Sequence, residues 1–206
     1  MTRTGKFLVT VGLSLALTLA AVSPAAAVST LTGESLSGSS SSGNTFCPDD
    51  TTSTFSVSGP ATGPYPGTFS ESGTINSGFV GETFIGNFTI TSGTTTITGR
   101  KTRSDSPGDV GCFVFSDDDA PYTATIHTPS GNFHDEGTSS VLVFVGMSPL
   151  APPTATLTES FTSSLAAPVL IEPNSKDQCK NNGWRNFPQF KNQGQCVSFV
   201  ESRRHT

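Results

Sequence analysis

Four ionisable side chains stand where an alternating strand would place apolar ones. In 65–75 the apolar register is odd-numbered, through Tyr65, Phe69 and Ile75, and Glu71 falls in it. In 155–161 it is odd again, through Ala155, Leu157 and Phe161, and Glu159 falls in it. The two stretches are alike, TFSESGT at 68–74 and TLTESFT at 156–162. Lys101 continues the face of Ile97 and Gly99, and Asp135 that of Phe133. Side chains two apart share a face of a strand, so unbroken alternation would send all four inward. A buried carboxylate needs a cation, water or a proton. Lys101 is the natural counter-ion for Glu71 or Glu159. Three readings follow. The register breaks at a bulge or at sheet ends in water; the residues form a structural polar network; or Glu71, Lys101, Asp135 and Glu159 line a ligand pocket. In a pocket the two carboxylates could serve as acid and base, as in glycoside hydrolysis. No residue is assigned a catalytic role on spacing alone.

Other candidates are weaker. The run Asp117-Asp118-Asp119 offers oxygen to calcium but lacks the spacing and glycine of a calcium loop, and reads as a solvated turn before Pro121. His127 and His134 have no cysteine nearby and the wrong pattern for zinc, and His127 faces outward. The chain has no P-loop, dinucleotide glycine fingerprint, HExxH or GxSxG. No metal or cofactor is expected.

The elements that must position these residues read as strands. Ser and Thr make up 59 of 206 residues, Gly 21 and Pro 14, with charged residues only 13%. That composition excludes helical bundles and coiled coils and disfavours a doubly wound α/β enzyme. Phe84, Gly86, Phe88 and Ile90 share one face against Asn87, Thr89 and Thr91. Ser92-Gly93 turns into 95–102, and Tyr122, Ala124 and Ile126 alternate with Thr123, Thr125 and His127. VLVFV at 141–145 is apolar at both parities and predicts a central or doubly covered strand. The expectation is an all-β fold: an antiparallel barrel or sandwich body with a small disulfide-stapled helical tail.

The chain divides into four parts. Residues 1–27 read as a signal peptide: Arg3 and Lys6, an apolar run over 7–22 too short to span a bilayer, then Ala25-Ala26-Ala27. Residues 28–48 read as a flexible Ser/Gly-rich lead-in, 49–168 as the β domain and 169–206 as a basic helical hairpin. Residues 28–171 carry a net charge of −10, while 172–206 carry +3. Nucleic acid is excluded as a partner by the acidic body. No later stretch spans a membrane, so the mature chain is expected to be secreted. Its partner would be the cell envelope or another extracellular molecule.

Four cysteines in an exported chain predict two disulfides out of three possible pairings. Locality favours Cys47–Cys112 and Cys179–Cys196. Ser175 with Gln178 fits a capping box, Gly183 a helix end, and Cys196, Phe199 and Val200 a second helix. Trp184, Phe187 and Phe190 either cover the staple as a mini-core or leave Trp184 and Phe190 beside Arg185 and Lys191 as a partner-binding patch.

The stretch SKDQCKNNGWRNFPQFKNQGQCVSFV at 175–200 resembles a C-terminal module of exported actinobacterial proteins that ends in CKNGGW, FKNQG and CVSFV; Asn182 stands where glycine is commoner. The body resembles, more loosely, the uncharacterised β-rich domain that precedes that module. The resemblance implies export and this architecture and carries no activity. The expectation is a non-catalytic extracellular protein. The alternative is a ligand-binding or hydrolytic barrel using Glu71, Glu159 and Lys101.

Overall fold

The computed structural model describes residues 27–40, 52–78, 81–104, 110–111, 114–148 and 151–203. Its strands are β1 (Ser35–Ser40), β2 (Thr52–Thr62), β3 (Gly67–Gly78), β4 (Gly81–Ser92) and β5 (Thr95–Ser104). There follow β6 (Val110–Gly111), β7 (Val114–Thr128), β8 (Gly131–Ser148), β9 (Ala151–Ser164) and β10 (Val169–Leu170). Eight of them close an antiparallel barrel in the order β1-β2-β3-β4-β5-β7-β8-β9, with β9 returning to β1. The short β6 and β10 add to β7 and β8 outside the ring. No α-helix occurs in the barrel among the described residues.

Closure depends on a segment whose composition predicts flexibility. Residues 35–40 of the SLSGSSSSG lead-in form β1, hydrogen-bonded on both sides. The correction has a simple cause. The two neighbouring strands satisfy the backbone of β1, so only Leu36 and the preceding Glu34 and Leu31 need burial, and all three are buried.

An eight-stranded barrel has an interior just wide enough to be filled by side chains. Here phenylalanine fills it, and glycine makes the room. Phe88 lies across Gly99, where a Cβ would sit 2.2 Å from the ring, and Phe55 lies across Gly73 in the same way. Phe55, Phe84 and Phe115 stack in series, while Phe88, Tyr122 and Phe161 meet edge to face. Alternating large and absent side chains lets the rings interdigitate at close-packed density.

Two further expectations are corrected. The VLVFV run is central, paired with β7 and β9, but not doubly covered: Val141, Val143 and Val145 are buried, whereas Leu142 and Phe144 are exposed on the outer wall. Asp117–Asp119 lie within β7, at a bulge between Asp117 and Ala120, not in a solvated turn. Asp117 keeps the inward parity of Phe115 and pairs with Arg103 Nε at 3.1 Å, while Asp118 and Asp119 stay exposed and the shift returns Ala120 and Tyr122 to the interior.

The tail packs on the barrel through β10 and through Asn132, whose side chain donates to the carbonyl of Asn186 at 2.9 Å. It contains α1 (Lys176–Cys179), a 3₁₀ turn at Gly183–Asn186 and α2 (Gln193–Arg203). The expected capping box between Ser175 and Gln178 is not formed. Gln178 Oε1 accepts from the backbone N–H of Asn174 at 2.7 Å, but the Ser175 hydroxyl makes no cap bond. Gly183 opens the 3₁₀ turn instead of ending α1, because Asn181 and Asn182 already take the left-handed conformation that reverses the chain.

Candidate functional site

Glu71 enters the interior from β3, Lys101 from β5 and Glu159 from β9. The three meet. Lys101 Nζ donates to Glu71 Oε2 at 2.7 Å and to Glu159 Oε2, and every one of these side chains has zero exposure. The register explains why. Glu71 is opposite Phe88, Phe88 opposite Gly99, and Lys101 opposite Gly86. Gly86 is the enabling residue: a Cβ there would lie 2.5 Å from Glu71 Oε1. The ammonium also lies 5.2 Å from the centroid of the Phe88 ring, over a π-face that favours a cation.

The triad carries two potential negative charges and one positive in a medium that penalises all of them. Burial is the dominant influence on Glu71 and pushes its carboxyl up to about 7, with Lys101 opposing that rise and Glu159 adding to it. For Lys101, burial is again the largest single influence and disfavours the ammonium. The two carboxylates together outweigh it, so its affinity for the proton stands above the ordinary lysine value. Near neutral pH a protonated Glu71 makes the triad electrically neutral. The same proton serves a geometric need: Glu71 Oε1 and Glu159 Oε1 are buried without hydrogen-bond partners, and the two carboxyls lie within hydrogen-bond reach of each other once one is an acid.

Asp135, the fourth inward candidate, belongs elsewhere. It accepts from the backbone N–H of Leu31 at 2.9 Å, the Tyr122 hydroxyl at 3.1 Å and the backbone N–H of Leu165 at 3.4 Å. It thus ties the segment before β1 and the segment after β9 to the barrel wall. Tyr122 connects the two groups. Its ring packs edge to face against Phe88 and Phe161, and its hydroxyl meets Asp135 and Ser164 Oγ.

Sequence reasoning missed Glu34. Its carboxylate is wholly buried and accepts from the backbone N–H of Tyr65 at 2.8 Å. Burial raises its affinity for a proton, and the Tyr65 N–H partly offsets that. The available signal was its shared parity with Leu36.

No protein-family model matches the chain, and no curated protein or solved structure matches it. The site must therefore be read from its own chemistry. Among the described residues, clefts lie on the barrel's outer wall and at the end where the chain enters. One of about 490 Å³ runs along Thr98, Arg100, Thr123 and His134. One of about 540 Å³ lies at Val28, Tyr65, Thr95 and Ser130, and one of about 270 Å³ lies at Arg100, Thr102 and Pro121. None is lined by Glu71, Lys101 or Glu159. His127 is on the outer wall, as its parity predicts, with its ring nitrogens against Thr98 and Asn132.

In the tail, Cys179 and Cys196 are bonded and sit at the centre of a small core with Phe187 and Val200. The expected Cys47–Cys112 pair lies outside the described residues. Trp184 and Phe190 are half-buried against that core, whereas Arg185 and Lys191 are exposed, with the Arg185 guanidinium 5.6 Å from the Trp184 ring centroid. Much of the tail's remaining charge is internally paired: Lys176 with Glu201, Lys180 with Asp177 and Arg203 with Glu172. Among the described residues no ion pair involves Arg185 or Lys191.

Proposed function

We propose that this protein acts outside the cell as a non-catalytic barrel, with the Glu71–Lys101–Glu159 triad as a structural core and its contacts made by the outer wall and the tail. The observation that carries this reading is the zero exposure of all three triad side chains. General acid–base chemistry requires the proton-bearing groups within hydrogen-bond reach of a substrate, and both carboxylates here are committed to one ammonium. Export is supported by the signal-like 1–27 segment, by the tail disulfide, and by the likeness of 175–200 to a module of exported actinobacterial proteins.

The partner is proposed to be the anionic cell envelope, engaged through Arg185 and Lys191 beside the half-buried Trp184. Unlike the other described basic residues of the tail, these two are not neutralised by a neighbouring acid. Co-sedimentation of the purified exported chain with isolated cell-wall particles tests this. The wild type should sediment at low salt and be released as salt rises. The Arg185→Ala, Lys191→Ala double variant should stay in solution. Equal sedimentation of the two proteins, or none of the wild type, would overturn the assignment.

A further inference from the structure

We infer that Lys101 and Glu159 condense to an intramolecular amide, a cross-link between β5 and β9 through the barrel interior. Four observations converge on it.

The reactants are already in contact: Lys101 Nζ is hydrogen-bonded to a carboxylate oxygen of Glu159, and both side chains are fully buried. Reacting groups held in this way gain effective molarities on the order of 10⁵ M or more. A third group is placed to move protons. Glu71 bonds the same nitrogen at 2.7 Å and lies within hydrogen-bond reach of Glu159. The surroundings are apolar and aromatic, with Phe88 beneath the ammonium and Tyr122 and Phe161 beside Phe88. Burial disfavours each separate charge, and an amide removes two of them. Finally, with all its side chains at zero exposure, the site excludes the bulk water that would drive hydrolysis.

The step balances without any co-reactant. A proton passes from the Lys101 ammonium to the Glu159 carboxylate, giving a neutral amine and a carboxylic acid. The Nζ lone pair attacks Cδ of Glu159, forming the C–N bond. Glu71, held as an acid by burial, donates to the Glu159 carbonyl oxygen as charge develops on it. It then relays the amine proton to the departing hydroxyl. The C–O bond breaks and one water leaves. No electrons are transferred, and Glu71 ends in the protonation state in which it began. Glu71 is thus the proton relay and Glu159 the acyl donor.

The cross-link does not depend on the envelope-binding reading, and it is read by mass. The exported wild-type chain, purified folded, should be lighter by one water than its sequence with disulfides formed. Its proteolytic digest should contain a branched peptide joining Lys101 to Glu159. Lys101→Met should have the full mass. Glu71→Gln keeps the shape and hydrogen-bond capacity of the relay but not its titrating proton. That variant should be folded by circular dichroism and recovered mostly at full mass. Wild-type protein at full mass would overturn the proposal outright. A branch from Lys101 to Glu71 would overturn the assignment of roles, and wild-type cross-linking in Glu71→Gln would remove Glu71 as relay.

Discussion

Replacing Lys101 with methionine keeps most of the side-chain volume and deletes the only cation in contact with Glu71 and Glu159 among the described residues. Two carboxyls then share a dry site with no counter-charge. Breaking a buried ion pair from one side costs about 3–5 kcal/mol. For a chain of this size that is roughly a 6–20 °C fall in melting temperature, at about 2–4 °C per kcal/mol. The pH dependence follows from sign. In the wild type Lys101 opposes the rise in Glu71; without it, burial and the neighbouring carboxyl both raise that affinity unopposed. The folded variant then binds more protons than the unfolded chain between the ordinary glutamate value of 4.5 and the folded value, at or above about 7. Stability of the variant must therefore fall as pH rises through that window. Urea unfolding of Lys101→Met from pH 4.5 to 8 is the assay, with the variant most stable near pH 4.5 and least stable at pH 8. Because the variant's own curve is read, the direction holds whether wild-type Lys101 is an ammonium or an amide. A deficit below about 0.5 kcal/mol throughout, the size of a harmless surface change, would refute the reasoning. So would a variant whose stability rises with pH across that window.

Glu71→Gln should flatten the part of the wild-type stability curve that declines between pH 4.5 and 7. That part is on the order of 3 kcal/mol for a carboxyl displaced to about 7; parallel urea titrations of the two proteins check it. Gly86→Ala should destabilise by roughly 1–3 kcal/mol through overpacking, since its methyl would fall 2.5 Å from Oε1 of a Glu71 carboxyl that Lys101 holds through Oε2; thermal melts measure this. Replacing Cys179 and Cys196 with serine removes a closure worth about 3 kcal/mol by loop entropy. It should raise hydrogen exchange in α2 while leaving the barrel amides protected.

The site was legible in the sequence to the extent that period two survived. Glu71, Lys101 and Glu159 each lie in an uninterrupted alternating stretch, and parity alone brings them to one interior. Asp135 obeys the same rule, yet parity says nothing about height along the barrel. Its position is set by hydrogen bonds to Leu31 and Leu165, residues outside the strands. Barrel against sandwich was hidden for a related reason. Closure rests on β1, whose hydroxyl-rich segment has little apolar signal and is held by backbone bonds from β2 and β9. The Asp117–Asp119 bulge and the exposed Leu142 and Phe144 show the limits of local pattern. An added residue shifts register invisibly, and an apolar run does not say which of its faces is covered.

The central claim is that three ionisable side chains form one sealed, proton-sharing core. It is tested most directly by pH titration of the folded protein with ¹³C-labelled glutamate carboxyls, followed by NMR. One carboxyl, assigned to Glu71 by its loss in Glu71→Gln, should titrate at about 7 beside the free ammonium, and well above the ordinary range once Lys101 and Glu159 are joined, because burial, the largest influence on it, remains. Titration of every glutamate in the ordinary range around 4.3 would contradict the account.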